Sequence, residues 1–367
     1  DRARAVRRTS QALAPRTRPP RSRLTEEFGP TMRVFTDWDR LPPDRHVLTI
    51  GNFDGVHRGH RSLLGRVQAR ARELGVRSLA VTFDPLPSEV LAPDRAPRRL
   101  TLTEHRLRLI LACGIDRILL VRFDHAFAQL APEEFVQLLV DFVHPVEIIV
   151  GDDFHFGRNR SGNPDVLRTL GAQHGFHVTV IERVTDKAVT ISSTRIREAI
   201  AQGDVRSARE MLDRPHLVVG TVIKGSGRGT VLGFPTANIA IRDRLLTPAD
   251  GIYASVVYAL GGWYPALAYL GNRPTFPGAG YAVEVYLLAE QIPALQGQEL
   301  SVYFIERLRP DRAFDDPDQL IRQMQEDERQ GRVRLATELT NWPPPLVAAL
   351  HRPLEGVPTT DDDPERA

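Results

Sequence analysis

The sequence has 367 residues, of which 42% are hydrophobic and 26% are charged, with a net charge of +2; this excludes a largely disordered chain or a coiled coil. Its single cysteine excludes a disulfide framework, and no apolar run reaches the roughly 20 residues of a membrane helix. We therefore expect a cytoplasmic protein of about two domains, with no membrane partner.

The charge imbalance lies at the two ends. Residues 1–31 hold eight arginines and three acidic residues, residues 343–367 hold two arginines and five acidic residues, and the remainder is neutral. These polar, proline-containing segments predict a disordered basic extension over 1–31 and a flexible acidic tail over 343–367. A basic arm for nucleic acid is the alternative for 1–31. The neutral body argues against it, so no nucleic-acid partner is expected.

Residues 32–203 alternate between strand-like and helix-like stretches. The strands are predicted at 47–53, 77–83, 117–123, 147–150 and 177–184. The helices are predicted at 62–74, 103–113, 132–142 and 194–202. This alternation is typical of an α/β, Rossmann-like domain with a parallel sheet.

A glycine-rich loop with two histidines follows the first predicted strand. It reads Gly51-Asn52-Phe53-Asp54-Gly55-Val56-His57-Arg58-Gly59-His60. Glycines let a phosphate approach backbone N–H groups, and the helix that follows presents its positive end. The two imidazoles lie where parallel sheets bind ligands and can donate to phosphate oxygens. The alternatives are a histidine that caps the helix beside a solvated one, and a zinc site that has no evident third ligand.

From 204 to 342 the pattern changes to short strands joined by turns rich in glycine and proline. The strands are predicted at 217–223, 251–260, 263–270, 281–288 and 300–308. One helix is predicted at 317–330, with Leu320, Ile321 and Met324 on one face. Several strands without intervening helices predict a small antiparallel β-barrel with a terminal helix.

The motifs resemble those of the prokaryotic bifunctional riboflavin kinase/FAD synthetase family. In the first domain, 51–60 resembles its nucleotidyltransferase motif, 151–157 its Gly-x-Asp-Phe-x-Phe-Gly segment, and 191–197 its Ile-Ser-Ser-Thr-x-Ile-Arg motif. The resemblance implies catalysis by His57 and His60 and flavin binding by Asp153 and Phe154. It also implies nucleotide binding by Gly51, Asn52, Phe53, Gly55, Gly59, Ser193, Thr194 and Arg197. Taken alone, 151–157 is also consistent with core phenylalanines, and 191–197 with an ordinary helix cap.

In the barrel, 220–238 resembles the riboflavin kinase signature that ends in Gly-Phe-Pro-Thr-Ala-Asn. The resemblance implies phosphate binding by Gly225, Gly227 and Gly229, although glycine clusters are usually hairpin turns. It further implies that Thr236 and Asn238 bind Mg²⁺, that Arg273 binds flavin, and that Glu284 is the general base for the ribityl hydroxyl. The plainer alternative for Glu284 is an outward-facing residue of an alternating strand.

The resemblance spans about residues 33–340 and implies two reactions. ATP would phosphorylate riboflavin to FMN and then adenylylate FMN to FAD, releasing pyrophosphate. One alternative is a chain that retains only one activity; another is a non-catalytic protein that senses flavin or binds nucleic acid. The sequence departs from the family pattern at Leu86 and Tyr286, where histidine is usual. A class I tRNA synthetase would need a lysine-rich loop, which Lys187 and Lys224 alone cannot form. The oligomeric state is left open.

Overall fold

The computed structural model describes residues 33–182, 185–186, 189–225, 227, 229, 232–242, 244–272, 282–289 and 294–354. Contacts divide these residues into two units. The first contains 33–97, 103–190 and 349–354, and the second contains the described residues of 98–102 and 191–348. The sequence predicts a domain boundary between 203 and 204, whereas the contacts place residues from Ile191 onward, together with 98–102, in the second unit.

The first unit is built on a six-stranded parallel sheet. Its strands are β1 (Val34–Phe35), β2 (His46–Ile50), β3 (Arg77–Asp84), β4 (Arg117–Arg122), β5 (Pro145–Gly151) and β6 (His177–Ile181). Its helices are α1 (Arg58–Glu73), α2 (Pro87–Leu91), α3 (Thr103–Ala112), α4 (Pro132–Leu138) and α5 (Pro164–His174), and two short strands, β7 (Thr185–Asp186) and β8 (Val189–Thr190), form a separate pair. The predicted α/β fold with a parallel sheet is confirmed.

The strand order places a ligand crevice at one position of this sheet. The order is β1-β4-β3-β2-β5-β6, so the chain moves outward from β2 through β3 and β4 and then returns to the other side of β2 with β5. Open parallel sheets bind ligands outside the carboxyl ends of the strands where the order reverses. Here that position lies between β2 and β5, which pair in parallel with Leu48 opposite Ile148.

At the amino end of β2, the buried His46 is locked as a neutral ring. Its Nδ1 donates to the Val143 carbonyl at 2.6 Å, and Nη1 of Arg117 donates to its Nε2 at 3.3 Å. Arg117 also forms an ion pair with Asp44. Burial, reinforced by the Arg117 charge, lowers the pKa of His46 from 6.5 to about 4, although the contacts to Val143 and Asp44 oppose the shift.

We expect the first unit to lose stability in mild acid because of His46. Between pH 6.5 and about pH 4 the unfolded chain binds a proton on this residue that the folded chain does not. The free energy of unfolding should therefore fall by about 3 kcal/mol as the pH is lowered through this window. Urea unfolding at pH 7.5 and pH 4.5 tests this, with His46→Gln as the comparison. An equally steep fall in the His46→Gln protein would refute the assignment.

The second unit contains a closed antiparallel barrel of six strands. They are β9 (His216–Ile223), β10 (Ala237–Ile241), β11 (Gly251–Ala259), β12 (Gly262–Gly271), β13 (Ala282–Leu287) and β14 (Glu299–Pro310). Among the described residues the other α-helices are α6 (Ser193–Ala201), α7 (Val205–Leu212), α8 (Pro317–Glu338) and α9 (Pro345–Leu350). The predicted barrel with its terminal helix α8 is confirmed, and α8 runs beyond its predicted end at 330.

Part of the predicted flexible tail is helical in the structure. Helix α9 lies within 343–367, and its Val347 and Leu350 are buried. The apolar stretch 346–350 explains this difference, because an amphipathic helix can bury these apolar side chains on one face. Residues 1–31, and the tail from 355 onward, lie outside the described residues. Within the described part of the chain, no helix is long and apolar enough to cross a membrane.

Candidate functional sites

The loop after β2 adopts a strained backbone that the sequence does not reveal. Gly55 has φ of +86°, as expected for glycine, but Phe53 and Val56 also have positive φ values of 50° and 38°. Both side chains are buried, and the Val56 N–H donates to the Phe53 carbonyl at 3.0 Å. Non-glycine residues occupy this region only where the surrounding structure over-determines them, which is common at functional sites.

His57 and His60 form a stacked pair at the start of α1. Their ring centroids lie 3.6 Å apart with 16° between the planes. His57 is the N-cap, and its Nδ1 accepts from the His60 N–H at 3.3 Å, so the neutral ring carries its proton on Nε2. Burial, reinforced by His57, lowers the pKa of His60 well below 6.5. The pair therefore has a neutral member and a defined donor at a helix N-terminus, which suits the recognition of phosphate.

His60 is held in place by Phe53 as well. The Phe53 ring meets it edge to face, with centroids 5.4 Å apart. Nδ1 of His60 is buried and has no hydrogen-bond partner within the described residues. A polar atom in this state is costly unless a ligand or water satisfies it. Among the described residues no cluster of three or more His, Cys, Asp or Glu side chains is arranged to hold a metal ion.

The loop after β5 brings Asp153 and Phe154 to the same edge of the sheet as the histidine loop. Asp153 is exposed, and a Cβ on Gly151 would lie 3.1 Å from its Oδ1. Phe154 is half-buried and stacks on Phe156, with centroids 5.4 Å apart, where it packs against the core of the first unit. The packing role of Phe154 is thus present, and the flavin-binding role of both residues stays a prediction.

The residues of the predicted motif at 191–197 lie at the start of α6 and belong to the second unit. Ser192 is the N-cap, with its Oγ accepting from the Arg195 N–H at 3.3 Å, so Ser193 and Thr194 occupy the first turn. Arg197 donates from Nε to the Arg98 carbonyl at 2.8 Å. The capping role is therefore carried by Ser192, and the phosphate-binding role of the other three residues stays a prediction.

At the position where the family usually has histidine, Leu86 is buried and serves the packing of the first unit. Its backbone N–H donates to Oε2 of Glu89 at 2.9 Å, and α2 begins at the next residue. Leu86 cannot replace the polar contact of an imidazole. Polar recognition of substrate in this unit must therefore come from other groups.

Glu284 and Thr236 form the centre of a pocket in the second unit. Oγ1 of Thr236 donates to Oε2 of Glu284 at 2.8 Å. On the strands beside β13, Asn238 and Tyr269 lie directly opposite Glu284. Glu284 therefore lines a pocket rather than a solvated barrel face. Directly opposed residues share a face of the sheet, so this pairing assembles hydroxyl, amide and carboxylate oxygens in one place.

Two of the three predicted phosphate-loop glycines lie so close to neighbouring protein atoms that a side chain would not fit without a shift. A Cβ on Gly225 would collide with the side-chain amide of Asn238. A Cβ on Gly229 would lie 2.9 Å from Oγ1 of Thr236 and would collide with the Phe234 carbonyl. Gly227 has φ of +71°, which does favour glycine for conformational reasons. Arg273, predicted to bind flavin, lies outside the described residues.

The other walls of the pocket come from β14, α8 and the segment between them. Leu320 and Met324, predicted on one face of the helix, both line the pocket. Arg309 and Asp327 join strand to helix through a bidentate ion pair, with Nη2 and Oδ2 2.7 Å apart. Tyr286, which replaces a histidine common in the family, donates from its hydroxyl to Oε2 of Glu328 at 3.2 Å.

One pocket residue, Asp311, belongs to no recognised motif. Asp311 accepts from the Tyr269 hydroxyl at 3.0 Å, and burial raises the pKa of its carboxyl. Burial and the Glu328 charge likewise raise the pKa of Tyr286. In the first unit, Arg106 is buried near the histidine loop and belongs to none of the recognised motifs. The one available signal was an arginine among apolar residues of a predicted helix.

Comparisons with known proteins identify two family models along this chain. The FAD synthetase family model matches residues 40–195, and the riboflavin kinase family model matches residues 212–335. The chain is 39% identical to the bifunctional riboflavin kinase/FMN adenylyltransferase of Escherichia coli over 81% of this chain and 95% of the relative. The Pseudomonas fluorescens protein of the same name is also 39% identical, over 77% and 91%.

A solved structure shares the fold over nearly its whole length. It comes from Streptococcus pneumoniae and is described as a macrolide-efflux protein. The TM-score is 0.74 at 30% sequence identity, and the match covers 82% of this chain and 98% of that one.

Proposed function

We propose, from the premise that the chain belongs to the bifunctional riboflavin kinase/FMN adenylyltransferase family, that the pocket of Glu284 phosphorylates riboflavin and that the loop of His57 and His60 adenylylates FMN. The chain is an enzyme with both activities, using ATP to convert riboflavin to FMN and FMN to FAD. The expectation of a bifunctional enzyme is therefore confirmed. A cytoplasmic location and the lack of a nucleic-acid partner stay predictions.

One contact carries the proposal for the kinase site: the Thr236 hydroxyl on the Glu284 carboxylate at 2.8 Å. It fixes the carboxylate inside a pocket whose walls also include apolar side chains. A carboxylate in this position can take the proton of the ribityl hydroxyl as the hydroxyl oxygen attacks the γ-phosphorus of ATP and ADP leaves. Glu284 is therefore the general base, and Thr236 orients it.

The residues around Glu284 fit a magnesium ion. Thr236 and Asn238 supply hydroxyl and amide oxygens, the hard donors that magnesium takes from proteins together with phosphate oxygens. Since the Thr236 proton is directed to Glu284, the lone pairs of its oxygen remain suitable for a cation. When bound, magnesium would neutralise charge on the ATP phosphates. Gly227 and Gly229 line the pocket beside these residues, and Gly225 lies against the Asn238 amide. For all three we keep the phosphate-binding role that the family motif implies.

In the adenylylation site the nucleophile needs no base, because the FMN phosphate is already ionised. Its oxygen attacks the α-phosphorus of ATP, and pyrophosphate leaves. We assign His57 the role of donating from Nε2 to phosphate oxygens as charge builds, with His60 holding its ring by stacking. Gly51, Asn52, Phe53 and Gly55 shape the loop, and Gly59 lies in the first turn of α1. For Ser193, Thr194 and Arg197 in the second unit we keep the phosphate-binding role that the family motif implies.

The direct test mixes the protein with riboflavin, ATP and Mg²⁺ and separates the flavins by chromatography. FMN should form first and FAD after it. With FMN supplied in place of riboflavin, FAD should form without the kinase step. If neither FMN nor FAD forms from riboflavin, the proposal fails.

Removal of the metal should stop FMN formation. Excess EDTA is expected to abolish phosphorylation of riboflavin, and added Mg²⁺ should restore it, because the triphosphate charge then lacks its counterion. Thr236→Val should raise the Mg²⁺ concentration needed for half-maximal rate, whereas Thr221→Val, at an exposed position of β9, should leave it unchanged. Full activity in EDTA would contradict the assignment of Thr236 and Asn238.

A further inference from the structure

A buried arginine connects the ends of two strands beside the histidine loop. Arg106, on α3, is 1% exposed. Its Nη1 donates to the Asn52 carbonyl at 3.1 Å, and its Nη2 donates to the Phe83 carbonyl at 2.6 Å. Asn52 lies in the loop after β2, and Phe83 is near the end of the neighbouring β3. One guanidinium thus joins two adjacent strand ends at the edge of the sheet where ligands bind.

The loop that Arg106 contacts needs outside support. Phe53, next to Asn52, and Val56 adopt left-handed backbone conformations, which persist only where the surroundings enforce them. The Asn52 carbonyl accepts a second hydrogen bond, from Oγ1 of Thr82 at 3.3 Å. Both bonds fix the point at which the chain leaves β2 and turns toward His57. A planar guanidinium can donate to two carbonyls at once, whereas an ammonium on a flexible stem lacks this fixed geometry.

We propose that Arg106 is a positioning residue for adenylylation: through the Asn52 carbonyl it sets the path of the loop that carries His57, and so the geometry in which the triphosphate of ATP is bound. The proposal rests on the assignment of FMN adenylylation to this loop. Arg106 is buried and its guanidinium donates to backbone carbonyls, so we infer an indirect effect on the reacting atoms. Its effect reaches them through the backbone, where misplacement by about 1 Å can cost about 100-fold in rate.

The test uses three variants of the full-length enzyme. Arg106→Met removes the hydrogen bonds to the Asn52 and Phe83 carbonyls. Arg106→Lys keeps the positive charge but lacks the planar group that can donate to both carbonyls at once. Arg108→Met is the matched control, since this arginine lies on the same helix and donates to the Arg352 carbonyl. For each, the KM for ATP and kcat are measured for FAD formation from FMN and for FMN formation from riboflavin, together with the folded fraction by thermal unfolding.

We expect Arg106→Met to raise the KM for ATP and to lower kcat/KM by about tenfold or more in FAD formation only. Arg106→Lys should lie between this variant and the wild type, and Arg108→Met should match the wild type. A purely structural role would lower kcat with the folded fraction and leave the KM for ATP unchanged; that result overturns the proposal. Should Arg106→Met not fold, Arg106→Lys decides, and wild-type constants in that variant overturn it as well.

Failure of the underlying assignment gives a different result. If the wild-type enzyme forms no FAD from FMN, or if His57 variants form it at the normal rate, the loop is not the adenylylation site. The Arg106 proposal then falls together with that assignment. If the His57 variants are impaired and those of Arg106 are not, only the positioning role is wrong.

Discussion

Glu284→Gln is expected to abolish FMN formation while FAD formation from supplied FMN continues. A general base contributes about 100-fold to 10,000-fold to a proton transfer, so kcat for riboflavin phosphorylation should fall by that factor. Glutamine has nearly the shape of glutamate, and its amide oxygen can still accept from Thr236. The pocket should therefore keep its form, and the KM for riboflavin should change by no more than about threefold, as expected for an interaction made in the transition state.

Glu299→Gln is the matched control, because this glutamate lies on a barrel strand and forms an exposed ion pair with Arg242. Its effect on either activity should be small, since such pairs contribute little. The adenylylation activity of each variant reports independently on the integrity of the chain. Substantial FMN formation by a folded Glu284→Gln protein would show that the Glu284 carboxylate is not the general base.

The first unit's architecture was predictable because its strands and helices alternate with strong local patterns. Helix α5 was missed although its signals are present. Asn163 caps it by accepting from the Asp165 and Val166 N–H groups, and Gly175 ends it in a left-handed conformation. Its start and stop residues were therefore informative where its apolar pattern was weak. Strand β1, by contrast, has two residues, too few for any periodicity to indicate.

The sequence motifs predicted which residues form the candidate sites, but not which contacts those residues make. The contact between Thr236 and Glu284 spans 48 positions in the chain and depends on the register of the barrel strands. No short pattern encodes a register across so many residues. The bidentate pair of Arg309 and Asp327 likewise depends on where α8 packs. The family resemblance could identify which residues to examine, while the barrel determines what they contact.

The backbone conformation of the histidine loop also could not be predicted from the sequence. Val56 is β-branched and has φ of 38°, a conformation that its own side chain disfavours. Local preference would place it in an extended segment, and the predicted strand did extend beyond Ile50 to residue 53. Tertiary contacts override that preference, among them those of Asn52 with Arg106 and Thr82. Such an override cannot be inferred from residues that are adjacent in sequence.

The role of the His57 imidazole in adenylylation can be separated from the role of His57 as the N-cap of α1. His57→Ala removes both the imidazole and the side-chain acceptor for the His60 N–H. His57→Asn removes the imidazole but keeps a good N-cap, since asparagine is among the preferred residues there. The alanine variant should therefore lose about 1 kcal/mol of stability that the asparagine variant retains. Any activity that both variants lose belongs to the imidazole.

Both variants should form FAD from FMN about 100-fold to 1,000-fold more slowly than the wild type, the cost of removing one preorganised donor to a developing charge. FMN formation should be unchanged, because the Glu284 pocket is built from other elements. Recovery of FAD formation in His57→Asn, but not in His57→Ala, would mean that the histidine serves only to start α1. The stacked histidine pair would then be a structural feature of the loop, and the donor to the ATP phosphates would have to be the backbone N–H groups of the α1 N-terminus.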